Sequence, residues 1–292
     1  MSNSISNSRP EAAYRVGLIG HPVGHSVSPV FQQAGFDALG LPFRYEAWDT
    51  PEAALSARVA SLRGEGHRGA NVTVPHKQAV APLLDEVSTE AATAGAVNTI
   101  VRDGGRLVGH NTDITGFLDA LRHEGGFDVT GAGVCVLGAG GAARAVVYAL
   151  LRGGARRIAL HNRTPARSEA LVAALDSDGA RLSVSAGSAG DAVRQSDLIV
   201  NCTSLGMAGS AHAGDSPLAA SEIPPAAFVY DIVANPDVTP LLAAARARGC
   251  RTLGGLPMLV RQGAASFTLW TGRDAPLDVM FQAARHAMGH DR

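Results

Sequence analysis

The chain has 292 residues, 46% of them hydrophobic and 17% charged, with 34 glycines. That composition belongs to a folded α/β protein long enough for two domains, and it excludes a disordered or fibrous chain. A formal net charge of −1 without any Lys/Arg run gives no polyanion-binding or membrane-surface patch, which argues against nucleic-acid and membrane partners.

The first part alternates strand and helix patterns. Residues 16–19 form a short apolar strand, followed by a loop over 20–29 and a helix over 30–39 that Gly40 ends. An alternating strand spans 43–48. A helix spans 51–62, with Pro51 near its start, where the missing N–H does no harm. Residues 70–74 read as a strand whose ladder Pro75 ends, and a helix starts over 76–84. A strand covers 96–101 and a helix 113–123. This alternation predicts a mostly parallel sheet, with ligands beyond the carboxyl ends of its strands. Near Gly125 a new pattern begins: a strand over 134–137, a glycine-rich turn, and an apolar helix to Leu151. A strand at 157–161, a helix at 164–175, and strands at 197–201 and 227–233 complete a second α/β unit. Residues 208–225 read as a long loop, and helices over about 257–271 and 276–288 follow. No internal repeat is visible.

Cys135, Cys202 and Cys250 are odd in number, scattered, and form no C-x-x-C pair, which fits reduced thiols in a cytoplasmic protein. Residues 1–13 are polar and lack the apolar core of a signal peptide. The most apolar long stretch, 132–151, is interrupted by glycines and by Arg144. It makes a poor transmembrane helix and a good nucleotide-binding turn.

That turn reads Gly138-Ala139-Gly140-Gly141-Ala142-Ala143, and Gly138-x-Gly140-x-x-Ala143 has the spacing of the dinucleotide fingerprint. Gly138 allows the tight turn, Gly140 lets the backbone approach a pyrophosphate, and a small third residue lets helix pack on strand. The helix N-terminus offers free N–H groups to the phosphates. An NAD-binding unit usually ends its second strand with Asp or Glu for the ribose 2′-OH, whereas Arg there suits a 2′-phosphate. Here the segment is His161-Asn162-Arg163-Thr164-Pro165-Ala166-Arg167, with two arginines and no acid, which favours NADP. A solvated helix position is the rival explanation for Arg167.

Of the 25 basic residues, only Lys77 is a lysine. Guanidinium stays protonated in proteins, whereas a partly buried ammonium can shift its pKa and pass a proton. Lys77 is therefore a candidate for acid–base chemistry, with a coding preference for Arg as the competing account. Polar side chains gather on loops after strands. Ser26 and Ser28 suit hydrogen bonds to a small anion or polyol, and Ser28 also suits a cap on the helix at Pro29. Asn71 and Thr73, both candidates for substrate binding, share one strand face ahead of Lys77. Asn98 lies in Gly95-Ala96-Val97-Asn98-Thr99 and Asp113 in Asn111-Thr112-Asp113; either could be a turn or cap residue.

Together these strings resemble the shikimate dehydrogenase family across nearly the whole chain. They include Ser26-x-Ser28-Pro29, Asn71-Val72-Thr73-Val74-Pro75-His76-Lys77, Gly95-Ala96-Val97-Asn98-Thr99 and Asn111-Thr112-Asp113. Asn162-Arg163-Thr164, Asn201-x-Thr203-Ser204-x-Gly206-Met207 and Met258-Leu259-Val260-x-Gln262 extend the match. The resemblance implies two α/β domains with a cleft between them. These would be a substrate domain over 1–112, a Rossmann-type NADP-binding domain over 113–252, and C-terminal helices over 253–292 returning to the first. It implies that Lys77 and Asp113 are the catalytic pair and that Ser26, Ser28, Thr73, Asn98 and Gln262 hold the carboxylate and hydroxyls of the substrate. Thr203, Ser204, Ile232 and Gly255 would lie near the cofactor. The implied reaction interconverts 3-dehydroshikimate and shikimate in aromatic amino acid biosynthesis, with the protein a monomer or homodimer.

The chain departs from the family pattern at Ala234, where a Tyr is usual, and at Pro257, where a Gly is usual. Both changes fall at the cleft, so quinate or a related cyclic polyol acid stays open as substrate, and a non-catalytic NADP-binding sensor is the alternative of another class. Tyr230 is expected to pack in its strand. A metal site is not expected: His21 and His25 lie in a Pro/Gly loop, and His286 and His290 have no third ligand. Nor does a Gly-x-Ser-x-Gly elbow occur.

Overall fold

The computed structural model describes residues 13–175, 181–185 and 187–289. In the amino-terminal sheet, β1 (Tyr14–Gly20) runs parallel to β2 (Phe43–Asp49), with α1 (Ser28–Ala38) as the crossover, and parallel to β3 (Gly69–Val72), reached through α2 (Leu55–Ser61). β4 (Glu86–Val87), α3 (Thr89–Ala94), β5 (Thr99–Asp103) and β6 (Arg106–His110) complete it, in the spatial order β2-β1-β3-β5-β6-β4. The sheet is mostly parallel, with β5 alone reversed: it runs antiparallel to both β3 and β6. The cause is local. Gly104 and Gly105 have φ of 54° and 89° and close a two-residue hairpin between Asp103 and Arg106, a turn that demands positive φ at both positions.

No helix forms over 76–84, contrary to the expectation. The chain turns and makes only a short 3-10 segment at Ala81–Leu83. Pro82 lacks the N–H that a helix would use, and its ring would strike the carbonyl four residues back. The Lys77 carbonyl instead accepts the Val97 N–H at 2.7 Å.

α4 (Asp113–His123) leads to a second sheet built from β7 (Gly133–Leu137), β8 (Arg157–His161), β9 (Leu182–Val184), β10 (Leu198–Asn201), β11 (Phe228–Asp231) and β12 (Thr252–Leu253). Its crossovers include α5 (Gly141–Arg152), α6 (Pro165–Leu175), α7 (Ala189–Val193) and α8 (Pro240–Ala247). All pairings are parallel, in the order β12-β11-β10-β7-β8-β9. This is the doubly wound dinucleotide-binding order, whose crevice opens where the winding reverses, between β7 and β10. Alternation along each strand feeds two cores. Val134 and Val136 pack with Phe117, Val146 and Leu150 on one face, while Cys135 and Leu137 pack with Leu241 and Leu242 on the other.

α9 (Leu256–Thr271) and α10 (Leu277–Ala287) return to α1, forming a core of Phe31, Leu256, Val260, Ala264, Met280 and Ala284. α9 also crosses α4 at Gly116, where an added Cβ would come within 2.7 Å of the Gln262 main-chain nitrogen. That close approach presses the helix bearing Asp113 against the helix bearing Gln262. Among the described residues no helix is long and apolar enough to cross a membrane.

Candidate active site

The reversal of β5 brings Asn98, just before it, to the same sheet end as Thr73 after β3 and Asn111 after β6. There Lys77 Nζ donates to Asp113 Oδ2 at 2.7 Å, and the two side chains are only 15% and 7% exposed. Asp113 is the first residue of α4, and Thr112 occupies the N-cap without a side-chain cap bond. The Asp113 carboxylate therefore faces Lys77 rather than capping its helix, and the positive end of that helix favours its charge.

Asn98 organises the surroundings. Its Nδ2 donates to Asp113 Oδ1 and Thr112 Oγ1, each at 2.9 Å, and to Gln262 Oε1 at 3.2 Å. Its Oδ1 accepts the Thr112 N–H at 2.7 Å. Ser266, one helical turn after Gln262, bonds Thr99 at 2.7 Å, Asn71 at 2.9 Å and Thr112 at 3.1 Å. Ser266 does not stand out in the sequence; its only signal is the i,i+4 spacing from Gln262, which places both on one helix face. Asn71 is engaged inside the protein: its Oδ1 accepts the Tyr45 hydroxyl at 2.8 Å, and its Nδ2 faces Ser266, Thr99 and the Asn98 carbonyl. It braces the network rather than facing open space.

Ser28 does not cap α1 with its side chain. Val27 is the N-cap of α1, and Ser26 Oγ accepts the Ser28 N–H at 3.2 Å. The Ser28 and Thr73 hydroxyls make no side-chain hydrogen bond among the described residues and stay available to a ligand. Gln262 Nε2 donates to the Leu259 carbonyl at 2.8 Å.

Across the crevice, the turn after β7 meets the demands of a dinucleotide. Gly138 has φ of 110°, and a Cβ there would come within 3.0 Å of the Cys202 main chain. A Cβ on Gly140 would meet nothing within 4 Å, so the backbone beside it is approachable. Ala139 and Ala142 flank these positions as small residues, and Gly141 opens α5. A Cβ added to Gly141 would lie 3.5 Å from Lys77 Cβ, so the lysine stem borders the start of that helix. Arg163 and Arg167 are exposed after β8, form no ion pair among the described residues, and sit with Thr164 and Asn162, whose Nδ2 donates to the Thr164 carbonyl. Thr203 donates through N–H and Oγ1 to Asn201 Oδ1, and Ser204 is exposed beside it. Ile232 follows β11. Gly255 caps α9 where a side chain would strike the Ile232 carbonyl at 2.2 Å.

Beneath these loops Asp231 is fully buried. Burial raises its pKa, against hydrogen bonds from Thr239 at 2.6 Å, Asn201 at 2.9 Å and the Val233 N–H at 3.0 Å. Tyr230 is fully buried and stacked on Phe117 at 5.1 Å, so its phenol offers nothing to the cleft. Among the described residues no group of three or more His, Cys, Asp or Glu could hold a metal; His290 and residues 1–12 lie outside them.

Three family models match along the chain. The family model of the shikimate dehydrogenase substrate binding domain covers residues 18–100. The model of shikimate / quinate 5-dehydrogenase covers 120–247, and that of the shikimate 5'-dehydrogenase C-terminal domain covers 255–285. A shikimate dehydrogenase (NADP(+)) of Moorella thermoacetica is 49% identical over 278 residues, spanning 94% of this chain and 93% of that protein. The crystal structure of shikimate 5-dehydrogenase from Thermus thermophilus, in complex with NADP(H) and shikimate, superposes with a TM-score of 0.84 at 42% identity, over 94% of this chain and 99% of that one. Quinate dehydrogenase from Corynebacterium glutamicum in complex with NAD gives a TM-score of 0.84 at 35% identity, over 92% and 98%.

Proposed function

The chain belongs to the shikimate dehydrogenase family, and on that premise we propose that it interconverts 3-dehydroshikimate and shikimate with NADP in the cytoplasm. The observation that carries this reading is the Lys77–Asp113 pair, largely buried and bordering the first turn of α5.

Oxidising a secondary alcohol requires loss of the hydroxyl proton as hydride leaves the same carbon. Bound NADP supplies the hydride acceptor. In the proposed mechanism the Lys77 amine takes the hydroxyl proton in oxidation and returns it in reduction. Asp113 holds the amine in place, and Asn98 holds Asp113. Ser26, Ser28, Thr73 and Gln262, with Asn98, bind the carboxylate and hydroxyls of the cyclic acid. The N–H groups of the Gly138–Ala142 turn would hold the pyrophosphate, and Arg163 and Arg167 the 2′-phosphate. Thr203, Ser204, Ile232 and Gly255 would border the nicotinamide. In this reading residues 1–112 carry substrate, 113–252 carry NADP and 253–292 brace the first unit, with α9 and α10 against α1 as support. The active form is a monomer or homodimer.

The test is the absorbance of reduced nicotinamide with shikimate and quinate, each with NADP and with NAD. Turnover with shikimate and NADP is expected, and its absence would overturn the reading. Quinate is a second reading favoured by one observation: Ala234 is half-buried after β11 and presents no hydroxyl there. A non-catalytic sensor would turn over neither.

A further inference from the structure

α5 reaches the substrate loops through Arg144. Its Nε donates to the main-chain carbonyl of Ala94, the last residue of α3, at 2.7 Å. Carbonyls at a helix C-terminus lack partners within the helix, and the dipole there favours a cation. The next residue, Gly95, has φ of 64°, and a Cβ on it would lie 2.6 Å from Arg144 Nη2. The guanidinium thus fills the space a side chain would take. Burial lowers the Arg144 pKa, but the guanidinium stays protonated, so the Ala94 carbonyl faces a cation.

Beyond Gly95 the chain touches both members of the candidate pair. The Ala96 carbonyl accepts Asn111 Nδ2 at 2.9 Å, two residues before Asp113. The Val97 N–H donates to the Lys77 carbonyl at 2.7 Å, and Asn98 Nδ2 reaches Asp113 Oδ1 at 2.9 Å. One short loop therefore joins a side chain on the cofactor helix to the backbone of Lys77 and the carboxylate of Asp113.

We propose that Arg144 is a positioning residue that couples the dinucleotide turn to the substrate site. When the turn before α5 is held by cofactor, Arg144 holds loop 95–98, and with it Lys77 and Asp113, in their facing arrangement. The inference rests on the functional reading above for the identity of the two ligands. A second link between the same helices, the ion pair of Arg152 with Glu90, is exposed on both sides, and such pairs contribute little.

The test is equilibrium calorimetry with NADPH and shikimate, a pair that cannot react, each alone and then together. In the parent protein NADPH is expected to change shikimate affinity by about fivefold or more, the usual range of site-to-site coupling. Arg144→Ala brings that factor close to one while each ligand alone binds nearly as in the parent. Arg144→Lys gives a reduced factor, and Arg152→Ala keeps the parent's. A parent factor of one, or a full factor in Arg144→Ala, overturns the proposal. If Arg144→Ala shows no cooperative thermal transition, Arg144→Lys decides: an undiminished factor overturns the proposal. No proton is transferred in this measurement, so its outcome is separate from whether Lys77 is the acid–base group. Failure of the functional reading would appear differently, as no binding of shikimate to the parent at all.

Discussion

Asn98 Nδ2 stands 2.9 Å from Asp113 Oδ1, on the carboxylate oxygen that Lys77 does not use. One amide thus fixes the carboxylate that fixes the amine, and its own oxygen is pinned by the Thr112 N–H. Asn98→Ala strands two buried groups, the Thr112 N–H and Asp113 Oδ1. At about 1–3 kcal/mol for each unsatisfied group, a loss on the order of 3 kcal/mol in unfolding free energy is expected, together with a fall in kcat. Urea denaturation checks the first and steady-state kinetics the second. A variant as stable and as active as the parent would remove Asn98 from the centre of the site.

Lys77→Arg retains a cation beside Asp113 but replaces an amine that can exchange a proton with a group that stays protonated. Shikimate binding, measured by calorimetry, should persist. Turnover should fall by roughly 10²–10⁴-fold, the usual contribution of a positioned acid or base. Parent-like kcat in this variant would reject proton transfer by Lys77.

Much of this site is legible in the sequence because its residues cluster in short strings. Lys77 lies just past the strand read at 70–74, Asn98 in the strand read at 96–101 and Asp113 at the start of the helix read at 113–123, and the second sheet follows from apolar runs such as 134–137 and 158–160. What is not legible is long-range or small. The pairing of Ser266 with Asn71 crosses 195 positions, and nothing local marks it. The contact of Arg144 with Ala94 joins two helices through one side chain. β9, β12 and α7 contain three, two and five residues, too few for a periodic pattern to declare itself. The missing helix over 76–84 is a different kind of miss. Its apolar spacing suits a helix, but Pro82 and the bond from Val97 to the Lys77 carbonyl override it.

Arg163 follows β8 exposed and without an ion pair among the described residues, as does Arg167 one turn on. Neither has an ionic partner there to lose, so substitution should act on cofactor binding and not on folding. Arg163→Ala is expected to weaken NADP by roughly 10–100-fold, corresponding to about 1.5–3 kcal/mol for a hydrogen bond to a charged group. NAD, which lacks the 2′-phosphate, should be little affected. Kd values for both dinucleotides provide the measurement, and equal losses would cancel the assignment.

Asp231 lies under the loops that carry Thr203 and Ile232, and desolvation raises its pKa despite three hydrogen bonds. A carboxyl whose folded pKa lies above its unfolded value holds its proton more tightly in the native state. Its contribution to stability is therefore greatest at or below the ordinary Asp value of 3.8 and declines as pH rises toward the folded value, beyond which it is level. Asp231→Asn removes this titration while keeping an oxygen for Asn201 and Val233 and an amide to face the Thr239 hydroxyl. Unfolding free energies for parent and variant, measured in urea across an acid-to-neutral pH series, should diverge in one direction. The difference, parent minus variant, falls as pH rises through that window and then flattens. Parallel curves, or a parent that gains on the variant with rising pH, would mean that Asp231 is ionised at little cost and that burial is not the dominant influence on it.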